Sequence, residues 1–190
     1  MQSRKHWYRT LCAVLALIAL LAAAIGLISE ESPRDWLVND RLYAKEIKAA
    51  ALKHKLDPLL VRAVIFQESR FDTFAIGDDG EYGLMQVLPS GSVTDWARIN
   101  RKPKPSNDEL TSPELNLEIG CWYLARAMAR YQEYRNQTAL ALAQYNAGAR
   151  RADKWKPPVK NGEVIPRINI KSTRKYVSTI IRRYRRYQAQ

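Results

Sequence analysis

The chain has 190 residues, 46% hydrophobic and 26% charged, which excludes a disordered tract and suits one globular domain with its own core. A formal net charge of +12 asks for an anionic partner or surface. Two cysteines and two histidines supply no CxxC, no Cys/His cluster for zinc and no Ser-His-Asp triad, so neither a metal nor a cofactor is expected.

Residues 1–30 are set apart by composition. Arg4, Lys5 and Arg9 precede 18 uncharged residues, 11–28, about enough to cross a bilayer core as a helix. The same pattern fits a secretory signal, with Ala22, Ala23 and Ala24 as a small-residue cleavage site. An apolar run of 18 is long for a cleaved signal and favours an uncleaved anchor. Positive charge ahead of it keeps that end in the cytoplasm, which places 31–190 on the extracytoplasmic face of the inner membrane, or free after signal cleavage. Residues 1–28 carry three basic and no acidic residues, so the remainder keeps a formal +9. A basic exported domain meets anionic membrane and cell wall, not a genome, and no nucleic-acid partner is expected.

Apolar positions at three- and four-residue steps predict a helix over 35–56. Asp57-Pro58 opens a second, ending near Glu68. Residues 72–82, with Gly77, Asp78, Asp79 and Gly80, read as a loop with a small β excursion, followed by short helices over 83–88 and 90–100. The polar, proline-rich stretch 101–112 is a surface loop. Ser112-Pro113 starts a long helix to about 134, with Leu117, Cys121, Leu124 and Met128 on one stripe. Another spans 137–145 and stops at Gly148, and after a Pro/Gly loop at 156–166 a last amphipathic helix covers 173–187. Its run RRYRRYQ (182–188) is a solvated face or a stripe that meets anionic lipid or wall polymer. The expected fold is mostly α, a single helical domain (31–190) behind one membrane or signal helix.

Within VRAVIFQESRFD (61–72) one acid interrupts an apolar run. Glu68 lies seven residues after Val61 and four after Val64, on the same helix face. Lost hydration and the negative end of the helix dipole both raise the pKa of such a carboxyl. A carboxylic acid that keeps its proton near neutral pH can protonate the leaving oxygen of a glycosidic bond. A solvated helix-end glutamate has the same local pattern.

Four stretches in order, ESRF (68–71), GLMQVLP (83–89), AQYNAG (143–148) and STRKYV (172–177), resemble the catalytic domain of lytic transglycosylases of the soluble type, relatives of goose-type lysozyme. The likeness runs from about residue 56 to 187. It implies an α+β lysozyme-like fold and an enzyme that cuts the β-1,4 bond between N-acetylmuramic acid and N-acetylglucosamine in peptidoglycan strands. Glu68 matches the acid: it protonates the bridging oxygen, then as carboxylate takes the proton of the muramoyl C6 hydroxyl, which closes on C1 as a 1,6-anhydro ring. Met85 and Gln86 match residues lining the sugar subsites, Tyr145 a phenol facing the glutamate, and Asn146 a residue that shapes the backbone and binds second.

Three positions depart from the pattern. Gly77 stands where a substrate-binding serine is usual, Glu81 where alanine is usual, and Ser172 where glutamate is usual. The first two leave room for a second reading, a noncatalytic wall-binding or scaffold protein that kept the fold. A monomer is expected.

Overall fold

The computed structural model describes Val14, Asp35 and residues 37–190, and the chain divides after Asn39 into two units. The expected membrane or signal segment lies, apart from Val14, outside the described residues. Among the described residues no helix is long and apolar enough to cross a membrane. In the first unit Val38 N–H donates to the Asp35 carbonyl at 3.4 Å.

The second unit, Asp40–Gln190, holds seven α-helices among the described residues: α1 (Ala44–Lys53), α2 (Pro58–Glu68), α3 (Thr94–Ile99), α4 (Pro113–Arg130), α5 (Gln137–Ala147), α6 (Ala149–Ala152) and α7 (Lys171–Gln188). The helix expected over 35–56 is confined to α1. Tyr43 takes a left-handed φ of 58°, which a right-handed helix cannot continue through. Asp40 is instead tied to Arg62 Nη2 at 2.6 Å and to the Tyr187 hydroxyl at 2.8 Å.

α2 starts and ends where the residues dictate. The Asp57 carboxylate accepts from Leu59 N–H at 2.8 Å, and Pro58 in the first turn has no N–H to leave unpaired. Leu60, Val61, Ala63, Val64, Ile65 and Phe66 are all buried, mainly against α7. That helix is amphipathic and buries Thr173, Tyr176, Val177, Ile180, Arg183 and Tyr187. Arg183 is 8% exposed with its guanidinium 3.3 Å from the centre of the Phe66 ring, so one of the four arginines in 182–188 serves packing. Apolar almost all round, α5 is buried from Ala139 to Gln144 between α4 and α7.

The loop after α2 carries the small β excursion, two antiparallel bridges that pair Ile76 with Tyr82 and Tyr82 with Val87. Residues 83–88, expected as a short helix, form a turn. Gly83 (φ 73°) and Gln86 (φ 46°) are left-handed, and the Met85 N–H is taken by the Asn116 side chain at 2.8 Å. The expected 90–100 helix opens with one wide turn (Pro89–Val93) before α3. α4 ends at Arg130, short of 134, because Tyr131 leaves the helical conformation and is fully buried.

Candidate active site

Glu68 is the last residue of α2, and the chain turns sharply away from it. Arg70 (φ 52°) and Phe71 (φ 68°) are consecutive left-handed residues, an uncommon and strained arrangement for side chains larger than glycine. It is held by packing and hydrogen bonds. Phe71 is 3% exposed and meets Phe66 edge-on at 6.4 Å. Ser69 Oγ donates to the Leu84 carbonyl at 2.9 Å, which ties the helix end to the 83–87 turn.

The carboxyl of Glu68 is crowded by protein atoms, although the residue retains some accessible surface. Its pKa is raised to about 7, chiefly because burial penalises the charged form; the Tyr176 hydroxyl opposes this and the Glu81 charge adds to it. Tyr176 Oη donates to Glu68 Oε1 at 2.5 Å. Burial and the neighbouring carboxylate push the Tyr176 and Tyr145 phenols well above their ordinary pKa, so both remain donors. One group that exchanges a proton near neutral pH thus stands beside two that do not.

Tyr145 reaches the same region from α5, but its hydroxyl donates to the Met85 carbonyl at 2.8 Å. The phenol that grips the carboxyl is Tyr176, and Tyr145 braces the turn. Met85 is fully buried, with its sulfur 3.8 Å from Cys121 Sγ. The thioether expected to face a sugar lies in the core: a β carbon on Gly120 would stand 2.5 Å from Met85 Sδ, so the bare glycine in α4 makes its place. Gln86 Nε2 donates to the carbonyls of Ala75 (3.1 Å) and Gly83 (3.0 Å), which fixes the amide across the loop. Asn146, exposed at the end of α5, accepts from Thr173 Oγ1 at 2.8 Å and so joins α5 to α7. Gly77 N–H donates to the Glu81 carbonyl at 2.9 Å.

Two residues with large parts in this geometry had no role in the sequence reading. Tyr176 stands in the quoted STRKYV stretch, on the buried stripe Thr173, Tyr176, Val177, Ile180, and that spacing was the available signal. Asn116 is 0% exposed, and its side chain accepts from Met85 N–H and donates to the Tyr82 (2.7 Å) and Leu110 (2.8 Å) carbonyls. A polar residue inside the apolar stripe of α4 marks it.

The family model described as "Transglycosylase SLT domain" matches residues 45–168. The membrane-bound lytic murein transglycosylase E of Buchnera aphidicola is 24% identical over 147 residues, 72% of this chain and 66% of that protein. The membrane-bound lytic murein transglycosylase C of Actinobacillus pleuropneumoniae is 32% identical over 117 residues, 59% of this chain and 32% of the relative. The crystal structure of the lytic transglycosylase Slt from Pseudomonas aeruginosa superposes with a TM-score of 0.68 at 25% identity, over 78% of this chain and 24% of that one. This chain therefore spans at most about two thirds of the length of these relatives.

Proposed function

The chain belongs to the Transglycosylase SLT domain family, and from that premise we propose that it is a peptidoglycan lytic transglycosylase in which Glu68 is the acid and then the base. The observation that carries this reading is the Glu68 carboxyl, gripped by Tyr176 and poised to exchange a proton at about pH 7. As the acid it protonates the bridging oxygen of the glycosidic bond. The carboxylate left behind takes the C6 hydroxyl proton as that oxygen closes on C1, so no water is consumed and the acid is regenerated. A pKa near working pH suits both halves of such a cycle.

Tyr176 positions the carboxyl, and Tyr145, through the Met85 carbonyl, holds the turn bearing Gln86. Gln86, Gly77 and Asn146 are substrate-side residues, and Met85 acts through its backbone. The experiment is digestion of purified sacculi with products read by mass spectrometry. The wild type releases 1,6-anhydromuropeptides; reducing ends alone, or no release, overturn the proposal.

Glu68 must enter the first step protonated, so kcat/KM falls about tenfold per pH unit above its pKa of about 7. The Tyr176 hydroxyl stabilises the carboxylate, so Tyr176→Phe raises the Glu68 pKa further. The alkaline limb of the pH profile then moves to higher pH, while kcat falls about tenfold through lost orientation. A Phe variant with an unmoved limb contradicts this role.

The names of the two membrane-bound relatives and the apolar run at 11–28 support placing the domain at the extracytoplasmic face of the inner membrane, anchored by its N-terminal segment. α7 exposes Arg182, Arg185 and Arg186 there. Replacing these three with glutamine weakens binding of residues 40–190 to anionic vesicles at low salt, by about 1 kcal/mol per residue near the surface. Binding that neither falls in the variant nor responds to salt rules that surface out.

A further inference from the structure

Gly77 and Glu81 are adjacent in space as well as unusual in sequence. A β carbon built on Gly77 would stand 2.4 Å from Glu81 Oε2 and 2.7 Å from Gln86 Oε1, so a side chain at 77 requires one or both of these side-chain ends to move. The Glu81 carboxylate therefore occupies the place that a side chain at 77 would claim. It is held there from its own loop: Asp79 N–H donates to Glu81 Oε2 at 3.1 Å, while Gly77 N–H donates to the Glu81 carbonyl at 2.9 Å.

The two side-chain oxygens make an unbalanced pair. Both Gln86 amide hydrogens are directed at the Ala75 and Gly83 carbonyls, so the amide can turn only its acceptor towards Glu81. Two side-chain acceptor oxygens, one of the Glu81 carboxylate and one of the Gln86 amide, thus flank Gly77, each within 2.7 Å of where a β carbon there would stand. A ligand O–H or N–H arriving beside them finds acceptors, and a hydrogen bond to a carboxylate is the stronger kind. The loop that carries them is joined to the end of α2 by the Ser69 to Leu84 bond, and the Glu81 charge is felt at the Glu68 carboxyl. The pair thus lies near the Glu68 carboxyl.

We propose that Glu81 is a substrate-binding residue of this site: its carboxylate, standing in for a side chain at position 77, accepts a hydrogen bond from a hydroxyl or acetamide N–H of the glycan beside Gln86. This rests on the glycan-cleaving reading above. It turns the departures at 77 and 81 into one coupled exchange, in which the carboxylate fills space that glycine leaves open.

The test is binding of the N-acetylglucosamine hexamer, measured by calorimetry in a Glu68→Gln background so that nothing is cut. Adding Glu81→Ala weakens binding about tenfold, and Glu81→Gln, which keeps an acceptor without the charge, weakens it less. Gly77→Ser alone weakens binding, because its β carbon meets the carboxylate. Gly77→Ser with Glu81→Ala regains most of the loss, the non-additivity expected of a pair sharing one space. Thermal melts equal to the parent's confirm that each variant is folded. An Ala variant that binds within twofold of its parent, or serine and alanine effects that simply add, overturns the proposal while leaving the enzymatic reading standing. If the parent binds no hexamer and the wild type releases no anhydromuropeptide, the enzymatic reading itself fails and this inference with it.

Discussion

Glu68→Gln is expected to lower release of anhydromuropeptides by about three orders of magnitude or more, with glycan binding retained. The upper part of the range for general acid–base catalysis applies because one carboxyl serves both halves of the cycle. An amide fills the same volume and still accepts from Tyr176, but has no proton to give to a leaving oxygen.

The same substitution is expected to stabilise the fold at alkaline pH. The Glu68 pKa is raised from 4.5 to about 7 in the folded protein, so folding favours its protonated form. Below pH 4.5 the carboxyl is protonated in folded and unfolded chains alike, and burial carries no charge penalty. Between 4.5 and 7 the unfolded chain ionises first, and wild-type stability falls as pH rises. Above 7 the full penalty is present, of the order of 2 kcal/mol once the residue's partial accessibility is allowed for. The glutamine variant escapes it. Its Tm should exceed the wild type's by about 5 °C at pH 8 and match it at pH 4. An activity loss without that pH-dependent gain would mean that the carboxyl is not buried as described.

Asn116→Ala should be the most damaging of the single changes considered to the scaffold of the site. One side chain satisfies the Met85 N–H and the carbonyls of Tyr82 and Leu110, all at 2.7–2.8 Å. Alanine removes three hydrogen bonds and strands a buried N–H, at a cost of about 3–4 kcal/mol and a Tm lower by about 10 °C. The turn it anchors also positions Gln86 and offers the Met85 carbonyl to Tyr145. Activity assayed well below the new Tm should therefore fall about tenfold, mainly in kcat/KM. An alanine variant melting like the wild type would remove Asn116 from the account.

The sequence was most legible where structure is local. Asp57-Pro58 marked the start of α2 and Ser112-Pro113 that of α4, because capping depends on residues a turn away. Glu68 stood out because an acid ending a run of buried residues contradicts its surroundings. Sequence is silent where distant residues decide: nothing in GLMQVL announces that Met85 N–H is claimed by Asn116, 31 residues on, so the turn at 83–88 has the local pattern of a helix. Tyr176 rather than Tyr145 meets the carboxyl for the same reason. Tyr145 and Tyr176 both reach the Glu68 region, and only the packing of α7 on α2 determines which hydroxyl meets the carboxyl. Met85 was read as a sugar-facing thioether because a motif names residues and not the direction in which their side chains point.

Retention of the Glu68 proton to neutrality is what the proposed chemistry requires. It is measured most directly by a carbon-13 NMR titration of the glutamate side chains, with the Glu68 signal assigned by its loss in Glu68→Gln. The expected midpoint is near 7, moving upward in Tyr176→Phe. A midpoint near 4.5, unmoved by that substitution, would contradict it.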